Sequence, residues 1–207
     1  MKNIKLIIFD GEGVLYSAKR MMKIFKKEYD NFLKKFGISF KQQEKLFLEL
    51  YPRISSGKIT LREADKIIFK KLGIPVSKVG EWLKKDKQIT LNYVKLRKNV
   101  KKILAKIKSK GIKVAILSDT VQPLRWRTEL FKKFGLVKGK HYDKIFLSHL
   151  IGYEKPHPKA YFAVLDYFKV KPKEVIFVGH DKEEIKGAEK LGIKTISFSS
   201  LKKILKS

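Results

Sequence analysis

Short apolar runs recur along the chain, and polar residues follow each of them. The first run, Leu6 to Phe9, stops abruptly at Asp10 and Glu12. Apolar runs bounded by turn residues are typical of strands buried in a parallel sheet. Four later runs have the same character and lie at 113–118, 144–147, 175–178 and 195–198. The pattern therefore predicts about five strands.

Before and between the later runs, apolar residues recur at the three- and four-residue intervals of amphipathic helices. These stretches lie at about 95–110, 124–134, 160–168 and 184–191. Alternation of strand and helix predicts a parallel sheet with helices on both faces. The expected fold class is α/β, with a doubly wound, Rossmann-like parallel sheet of about five strands.

Residues 16–93 follow a different pattern, with helix after helix and no convincing strand. Thr60 with Glu63 predicts a capping box at the start of one of these helices. The four expected helices span about 21–36, 40–51 before Pro52, 60 to Gly73, and a last one from near Ser77. We therefore expect an all-helical domain at 16–93, inserted into an α/β core made of 1–15 and 94–207.

The charge of the chain is extreme, with 49 basic and 20 acidic residues and a formal net charge of +29. Such a field attracts polyanions, including phosphorylated metabolites and nucleic acid. The predicted helix with the most basic residues is 95–110, which has no acidic residue. Its basic residues are Lys95, Arg97, Lys98, Lys101, Lys102, Lys106, Lys108 and Lys110. The alternative is a lysine-rich composition without function, because the lysines are dispersed over many helix faces.

Two absences narrow the possible classes of protein. The chain has no cysteine, which excludes disulfides, thiolate metal sites and cysteine nucleophiles. No apolar stretch has the length of a membrane span or a signal peptide, because the first run is cut at Asp10. We therefore expect a cytoplasmic protein without a membrane partner.

Chemically useful side chains follow four of the predicted strands. Because the carboxyl ends of parallel strands meet at one edge of the sheet, these side chains are expected to converge on a single crevice. They are Asp10 with Glu12, Ser118 with Asp119, Lys155 in the loop after the third strand, and His180, Asp181 and Glu184 after the fourth.

The order of these motifs resembles the haloacid dehalogenase-like (HAD) superfamily of hydrolases. The motifs are Asp10-x-Glu12-Gly-Val-Leu, a strand ending at Ser118, Lys155-Pro156, and Val178-Gly179 with acids ahead of Ile185-Lys-Gly-Ala. The resemblance covers nearly the whole chain. It implies that residues 16–93 form the helical cap of that superfamily.

The resemblance also implies catalytic roles. Asp10 would be the nucleophile that forms an aspartyl-phosphate, and Glu12 would be the general acid and then the base. Ser118 would donate a hydrogen bond to the phosphoryl group. Lys155 would balance charge on the nucleophile and the phosphoryl oxygens, and Asp119 would belong to the same substrate-binding group.

A Mg²⁺ ion would bridge Asp10, the backbone carbonyl of Glu12 and acids of the last motif, Asp181 and Glu184 among them. The chain departs from the family pattern at His180, which replaces a ligand aspartate. Asp181 could replace that ligand, His180 could shift the preference to Mn²⁺, Co²⁺, Ni²⁺ or Zn²⁺, or the site could be inactive. Glu12 and Glu184 are glutamates as in enolase-phosphatases.

Three functions remain open. The first is a metal-dependent phosphatase acting on a small phosphorylated metabolite. The second is a metal-independent dehalogenase, which leaves Glu12 unexplained. The third is a catalytically impaired protein that binds nucleic acid or another polyanion.

Overall fold

The computed structural model describes residues 3–204, which form seven strands and ten α-helices. In chain order these are β1 (Leu6–Asp10), β2 (Tyr16–Ser17), α1 (Lys19–Lys34), α2 (Phe40–Ser55), α3 (Leu61–Lys71), α4 (Lys78–Tyr93), β3 (Lys95–Leu96), α5 (Val100–Ser109), β4 (Lys113–Ser118), α6 (Leu124–Lys133), β5 (Lys144–Leu147), α7 (Ser148–Ile151), α8 (Pro158–Phe168), β6 (Val175–Val178), α9 (Lys182–Lys190), β7 (Lys194–Ile196) and α10 (Phe198–Ile204).

Five strands form one parallel sheet in the order β5-β4-β1-β6-β7. Alternate residues of β1 face opposite sides, so Ile7 and Phe9 pack into one apolar cluster and Leu6 and Ile8 into another. Helices cover both faces because both faces of the sheet are apolar. The predicted fold class, an α/β doubly wound sheet of five parallel strands, is confirmed.

The register of the sheet places the ends of neighbouring strands side by side. Asp10, the last residue of β1, pairs with Leu117 of β4, so that Asp10 and Ser118 come to the same edge. On the other side of β1, Phe9 pairs with Val178. This register is what brings the predicted site residues together.

The last predicted strand, 195–198, is partly wrong. Strand β7 ends at Ile196, and Phe198 instead begins α10. Phe198 and Leu201 are buried in one of the core clusters. An apolar residue that continues a strand pattern can equally begin a helix, and here packing of the helix decides.

Helices α1 to α4, which we call the helical segment, lie between β2 and β3. These two strands pair antiparallel, Tyr16 with Leu96 and Ser17 with Lys95, and join the segment to the sheet. The expectation of no strand near residue 16 was wrong, because a two-residue strand has too few positions for an alternating pattern. The assignment of 16–93 as a separate domain stays a prediction.

Helix α2 continues through Pro52 to Ser55 and does not end before the proline as predicted. Proline cannot donate the hydrogen bond to the carbonyl four residues earlier. That carbonyl belongs to Leu48, which is exposed, so water can take the place of the missing donor. The predicted capping box of Thr60 with Glu63 is confirmed at the start of α3.

The basic stretch 95–110 is not one helix. Its first residues form β3, and α5 begins only at Val100. Lys108 is neutralised by Asp143, with 2.6 and 2.7 Å from its Nζ to the two carboxylate oxygens. The positive charges are therefore not presented along a single helix face. Across residues 3–204, no helix is both long and apolar enough to span a bilayer.

The helical segment has its own apolar cluster, with two carboxyls buried in it. Asp65 and Asp86 are 3% and 6% exposed, and Asp65 Oδ2, Asp86 Oδ1 and the Tyr29 hydroxyl have no hydrogen-bond partner within the part of the chain that the structure describes. Burial raises the pKa of Asp65 to about 8, with Asp86 adding to the rise, and raises the pKa of Asp86 to about 7. Both groups are neutral when the surrounding solution is mildly acidic.

These raised pKa values predict that the protein loses stability as the pH rises. The folded state holds the protons more tightly than the unfolded state, so the stabilisation is complete below about pH 4 and is lost towards about pH 8. Asp65→Asn should flatten this dependence and raise the free energy of unfolding at pH 9 by about 1 to 3 kcal/mol. Urea denaturation at several pH values measures the free energy of unfolding, and Asp166→Asn, at an exposed position, is the control. An equal pH slope in wild type and Asp65→Asn would contradict the prediction.

Candidate active site

Asp10 lies at the end of the central strand, where two donors and an imidazole ring contact its carboxyl group. Its Oδ1 accepts hydrogen bonds from the Gly11 backbone N–H at 2.8 Å and from Lys155 Nζ at 2.7 Å. Its Oδ2 lies 3.0 Å from His180 Nδ1. Asp10 is only 5% exposed. These contacts fix the orientation of the buried carboxyl group.

Lys155 is the central cation of the site. Its side chain is 1% exposed, and its Nζ lies 3.3 Å from Glu184 Oε2 and 3.7 Å from Asp119 Oδ2, in addition to its bond with Asp10. Burial alone would lower the pKa of Lys155, but Asp10, Asp119 and Glu184 outweigh it and raise that pKa. The lysine therefore stays charged.

Two of these acids have pKa values close to neutral pH. Burial raises the pKa of Asp119 to about 6 and that of Glu184 to about 7, against the opposing effect of Lys155. Asp119 also accepts a hydrogen bond from the Lys155 backbone N–H at 3.3 Å. One cation thus serves three carboxyls, of which Asp10 is the closest.

Ser118 lies at the end of β4, next to the turn that follows Asp10. Its Oγ is 3.5 Å from the Tyr16 hydroxyl, and a Cβ added at Gly11 would lie 2.8 Å from Ser118 Oγ and 2.5 Å from that hydroxyl. Any larger residue at position 11 would force Tyr16 or Ser118 to move. The serine hydroxyl has a long and weak partner, which leaves its proton available to another acceptor.

Glu12 lies outside β1, beyond the turn at Gly11, and its side chain is exposed. Its Oε1 accepts a hydrogen bond from the Ala18 backbone N–H at 3.3 Å, at the start of α1. Among residues 3–204, no hydrogen bond joins Glu12 to Asp10. The position of the Glu12 side chain therefore depends on the backbone at Ala18, where the helical segment begins.

The residues predicted as metal ligands divide into two groups. Asp10 and His180 are in contact, and an open cavity of about 690 Å³ borders His180 and Gly13. Asp181 instead caps α9, accepting from the backbone N–H groups of Glu183 and Glu184, and the Glu184 N–H contributes most to lowering the pKa of Asp181. Within the residues that the structure describes, no group of three or more ligating side chains is placed to hold an ion.

Asp10 and His180 are the predicted ligands that the structure brings together, with Asp10 Oδ2 and His180 Nδ1 at a hydrogen-bond distance of 3.0 Å. A carboxylate oxygen and an imidazole nitrogen beside an open cavity would be suitable ligands for a divalent ion that replaces this hydrogen bond. Ions that keep several waters need few protein ligands, and an imidazole nitrogen favours Mn²⁺, Co²⁺, Ni²⁺ or Zn²⁺ over Mg²⁺.

Two contacts at the site were not predicted. Tyr16 lies beside Ser118, and the hydroxyl of Tyr51 on α2 donates to Glu154 Oε1 at 2.7 Å, next to Lys155. The second contact ties the helical segment to the loop that holds the lysine. Tyrosines in an apolar pattern are indistinguishable from core residues by sequence, so no signal marked either one.

Comparison with known proteins identifies relatives of the whole chain. The chain is 25% identical to the glyceraldehyde 3-phosphate phosphatase of Pyrococcus furiosus, over 96% of this chain and 82% of that protein. It is 26% identical to the phosphorylated carbohydrates phosphatase of Thermotoga maritima, over 93% of this chain and 84% of that protein. A HAD family enzyme from Bacteroides thetaiotaomicron has a solved structure that superposes with a TM-score of 0.67, at 26% identity over 95% of this chain and 94% of that one.

The Bacteroides enzyme has also been solved in complex with magnesium and inorganic phosphate, at 24% identity and a TM-score of 0.65, with 94% of this chain and 93% of that chain covered. The model of the haloacid dehalogenase-like hydrolases matches residues 7–198 of this chain. That match runs from β1 to the start of α10 and includes every strand end at the site. The chain belongs to the haloacid dehalogenase-like hydrolase family.

Proposed function

We propose that the protein is a phosphatase that removes phosphate from a small phosphorylated metabolite through an aspartyl-phosphate on Asp10. The observation that supports this most is the buried Asp10, fixed by Lys155 and the Gly11 N–H beside Ser118. A carboxylate held in this way can attack phosphorus, and the lysine can stabilise the charge that develops on the phosphoryl oxygens. The relatives named as phosphatases support the same reaction class.

In the first step, an Asp10 oxygen forms a bond to phosphorus while the bond from phosphorus to the leaving oxygen breaks. Glu12 gives its proton to the leaving oxygen. In the second step, Glu12 takes a proton from water, whose oxygen attacks phosphorus, and Asp10 is released with inorganic phosphate. Ser118 donates a hydrogen bond to a phosphoryl oxygen in both steps.

We propose that the helical segment acts as the cap over this reaction. Glu12 is bonded to the backbone at the start of α1, and Tyr51 of α2 is bonded to Glu154. Movement of the helical segment would therefore move the acid/base residue together with the cover of the site. Closure of the segment would exclude water from the first step, and its opening would admit water for the second.

Asp10 and His180 would hold a divalent ion, with the backbone carbonyl of Glu12 as a further ligand. When bound, the ion would neutralise charge on the phosphoryl group. Asp181 and Glu184 would act only through water or after a rearrangement, because Asp181 caps α9 and Glu184 is paired with Lys155.

His180→Asp is expected to raise the affinity for Mg²⁺ by about tenfold or more, because it adds a hard, negatively charged oxygen ligand. The same change should reduce the preference for Ni²⁺ and Co²⁺. Isothermal titration of the protein with each ion measures this without turnover. Asp181→Asn serves as the comparison and should have the smaller effect; equal Mg²⁺ affinity in wild type and His180→Asp would refute the assignment of His180 as a ligand.

A panel assay tests the proposed function. Purified protein is mixed with phosphorylated sugars, phosphoglycolate, glyceraldehyde 3-phosphate and chloroacetate, each with Mg²⁺, Mn²⁺, Co²⁺ or Ni²⁺. We expect release of phosphate from at least one small phosphoester. Halide release without phosphate release would favour the dehalogenase, and no turnover in any mixture would refute both enzymes.

Binding of a polyanion is the second candidate. A cavity of about 550 Å³ has several lysines and no acid among its lining residues, which are Asn99, Lys102, Ile103, Lys106, Ser199, Lys202 and Lys203. Nucleic acid held in this way should dissociate steeply as salt is added. Fluorescence anisotropy with a labelled oligonucleotide at low salt tests it, and the absence of binding there removes this candidate.

A further inference from the structure

Arg127 of α6 is a buried cation without an acidic partner. It is 6% exposed, and within residues 3–204 no carboxylate forms an ion pair with it. Its Nη2 donates to Gln122 Oε1 at a long 3.4 Å, and its Nε has no hydrogen-bond partner. A guanidinium carries five N–H donors, and burying it without an anion is costly. An anion supplied from outside the chain would remove this cost.

The position of Arg127 places that anion beside the active site. Its guanidinium carbon lies 4.9 Å from the centre of the Tyr16 ring, and the hydroxyl of the same ring is 3.5 Å from Ser118 Oγ. A single tyrosine therefore separates the guanidinium from the residue that we assign to the phosphoryl group. Arg127 is also as buried as Asp10, Ser118 and Lys155, at 5%, 3% and 7% exposed.

Gln122 orients the guanidinium and links it to the helical segment. Its Nε2 donates to Thr90 Oγ1 of α4 at 2.9 Å, which turns its oxygen towards Arg127. The amide oxygen accepts from Nη2 at a long distance, so the guanidinium keeps donors without a partner, Nε among them. Because Thr90 belongs to the segment that we propose as the cap, these residues lie where the cap meets the sheet.

We propose that Arg127 is a specificity residue that binds a carboxylate of the substrate, so that the preferred substrates are phosphoesters of small carboxylic acids. This rests on the proposed phosphatase function. The planar fork of arginine matches a carboxylate in a two-point contact, which lysine cannot reproduce. A substrate with a phosphate at one end and a carboxylate at the other would place one group at Ser118 and Lys155 and the other at Arg127. A phosphoester of the same size without a carboxylate would leave the guanidinium unpaired.

The test compares two substrates of similar size, phosphoglycolate and ethyl phosphate. Wild type, Arg127→Met and Arg127→Lys are assayed on both, with exposed Arg125→Met on the same helix as the control. We expect the ratio of kcat/KM, phosphoglycolate over ethyl phosphate, to fall about 10- to 100-fold in Arg127→Met, mainly through KM. The ratio for Arg127→Lys should lie between those of wild type and Arg127→Met. Arg125→Met should keep the wild-type ratio.

An unchanged ratio in Arg127→Met and Arg127→Lys, with both substrates slowed equally, would overturn the proposal and leave Arg127 with a structural role. Circular dichroism verifies the fold of each variant, and Arg127→Lys provides the test if Arg127→Met does not fold. A second measurement needs no turnover: the rise in Tm on adding phosphoglycolate to Asp10→Asn protein. That rise should exceed the rise with ethyl phosphate and should lose this excess when Arg127→Met is added. A protein that hydrolyses nothing yet shows this excess would refute the phosphatase and keep the Arg127 site.

Discussion

Asp10→Asn should reduce phosphatase turnover by at least about 10⁴-fold, because a neutral amide cannot attack phosphorus as the carboxylate does. The fold should persist. Lys155 keeps Glu184 and Asp119 within 3.3 and 3.7 Å, so that it is not left as an uncompensated buried charge. Steady-state assays on the best substrate of the panel measure the change.

The control for this substitution is Asp166→Asn, which removes the same charge from an exposed position on α8. It should leave kcat/KM within about twofold of wild type. Turnover in Asp10→Asn that approaches the wild-type rate would show that another residue is the nucleophile. The mechanism that we propose would then be wrong.

Lys155→Met should damage both activity and stability. The change leaves Asp10, Asp119 and Glu184 together without their shared cation. Breaking a buried ion pair by removing one partner costs about 3 to 5 kcal/mol, and loss of a charge that stabilises the phosphoryl oxygens costs about 10²-fold or more in kcat. Urea denaturation and phosphate-release assays measure the two effects.

The pH dependence separates this explanation from a simple loss of packing. Burial already raises the pKa of Asp119 to about 6 and of Glu184 to about 7, and removal of the lysine should raise both further. The stability deficit should therefore shrink as the pH falls towards about 6, because the acids of the variant take up protons at a higher pH than those of wild type. Lys173→Met, at an exposed lysine, should show no deficit at any pH. A deficit that is the same at pH 5 and pH 8 would contradict the account.

The sequence predicted the sheet well because buried parallel strands are uninterrupted apolar runs. The runs 6–9 and 114–117 contain no polar residue, and both belong to strands with a neighbour on each side. The prediction from the sequence failed where an element is short or where its apolar pattern fits both a strand and a helix. Strands β2 and β3 have two residues each, and Phe198 belongs to a helix although it extends a strand pattern.

The site was predictable to the extent that strand ends converge. Asp10 and Lys155 are 145 positions apart and lie 2.7 Å apart in space, as the motif order implied. The roles assigned to the site residues and to the helical cap stay predictions. Arg127 was missed because one arginine among 49 basic residues carries no sign that it is buried and unpaired.

Trapping the phosphorylated enzyme tests the central claim most directly. The protein is mixed with its best substrate, quenched in acid within the first turnover, digested and analysed by mass spectrometry. We predict a phosphoryl group on the peptide that contains Asp10, and none in Asp10→Asn. A phosphoryl group on another peptide, or steady turnover with no phosphorylated peptide at any time, would contradict the aspartyl-phosphate mechanism.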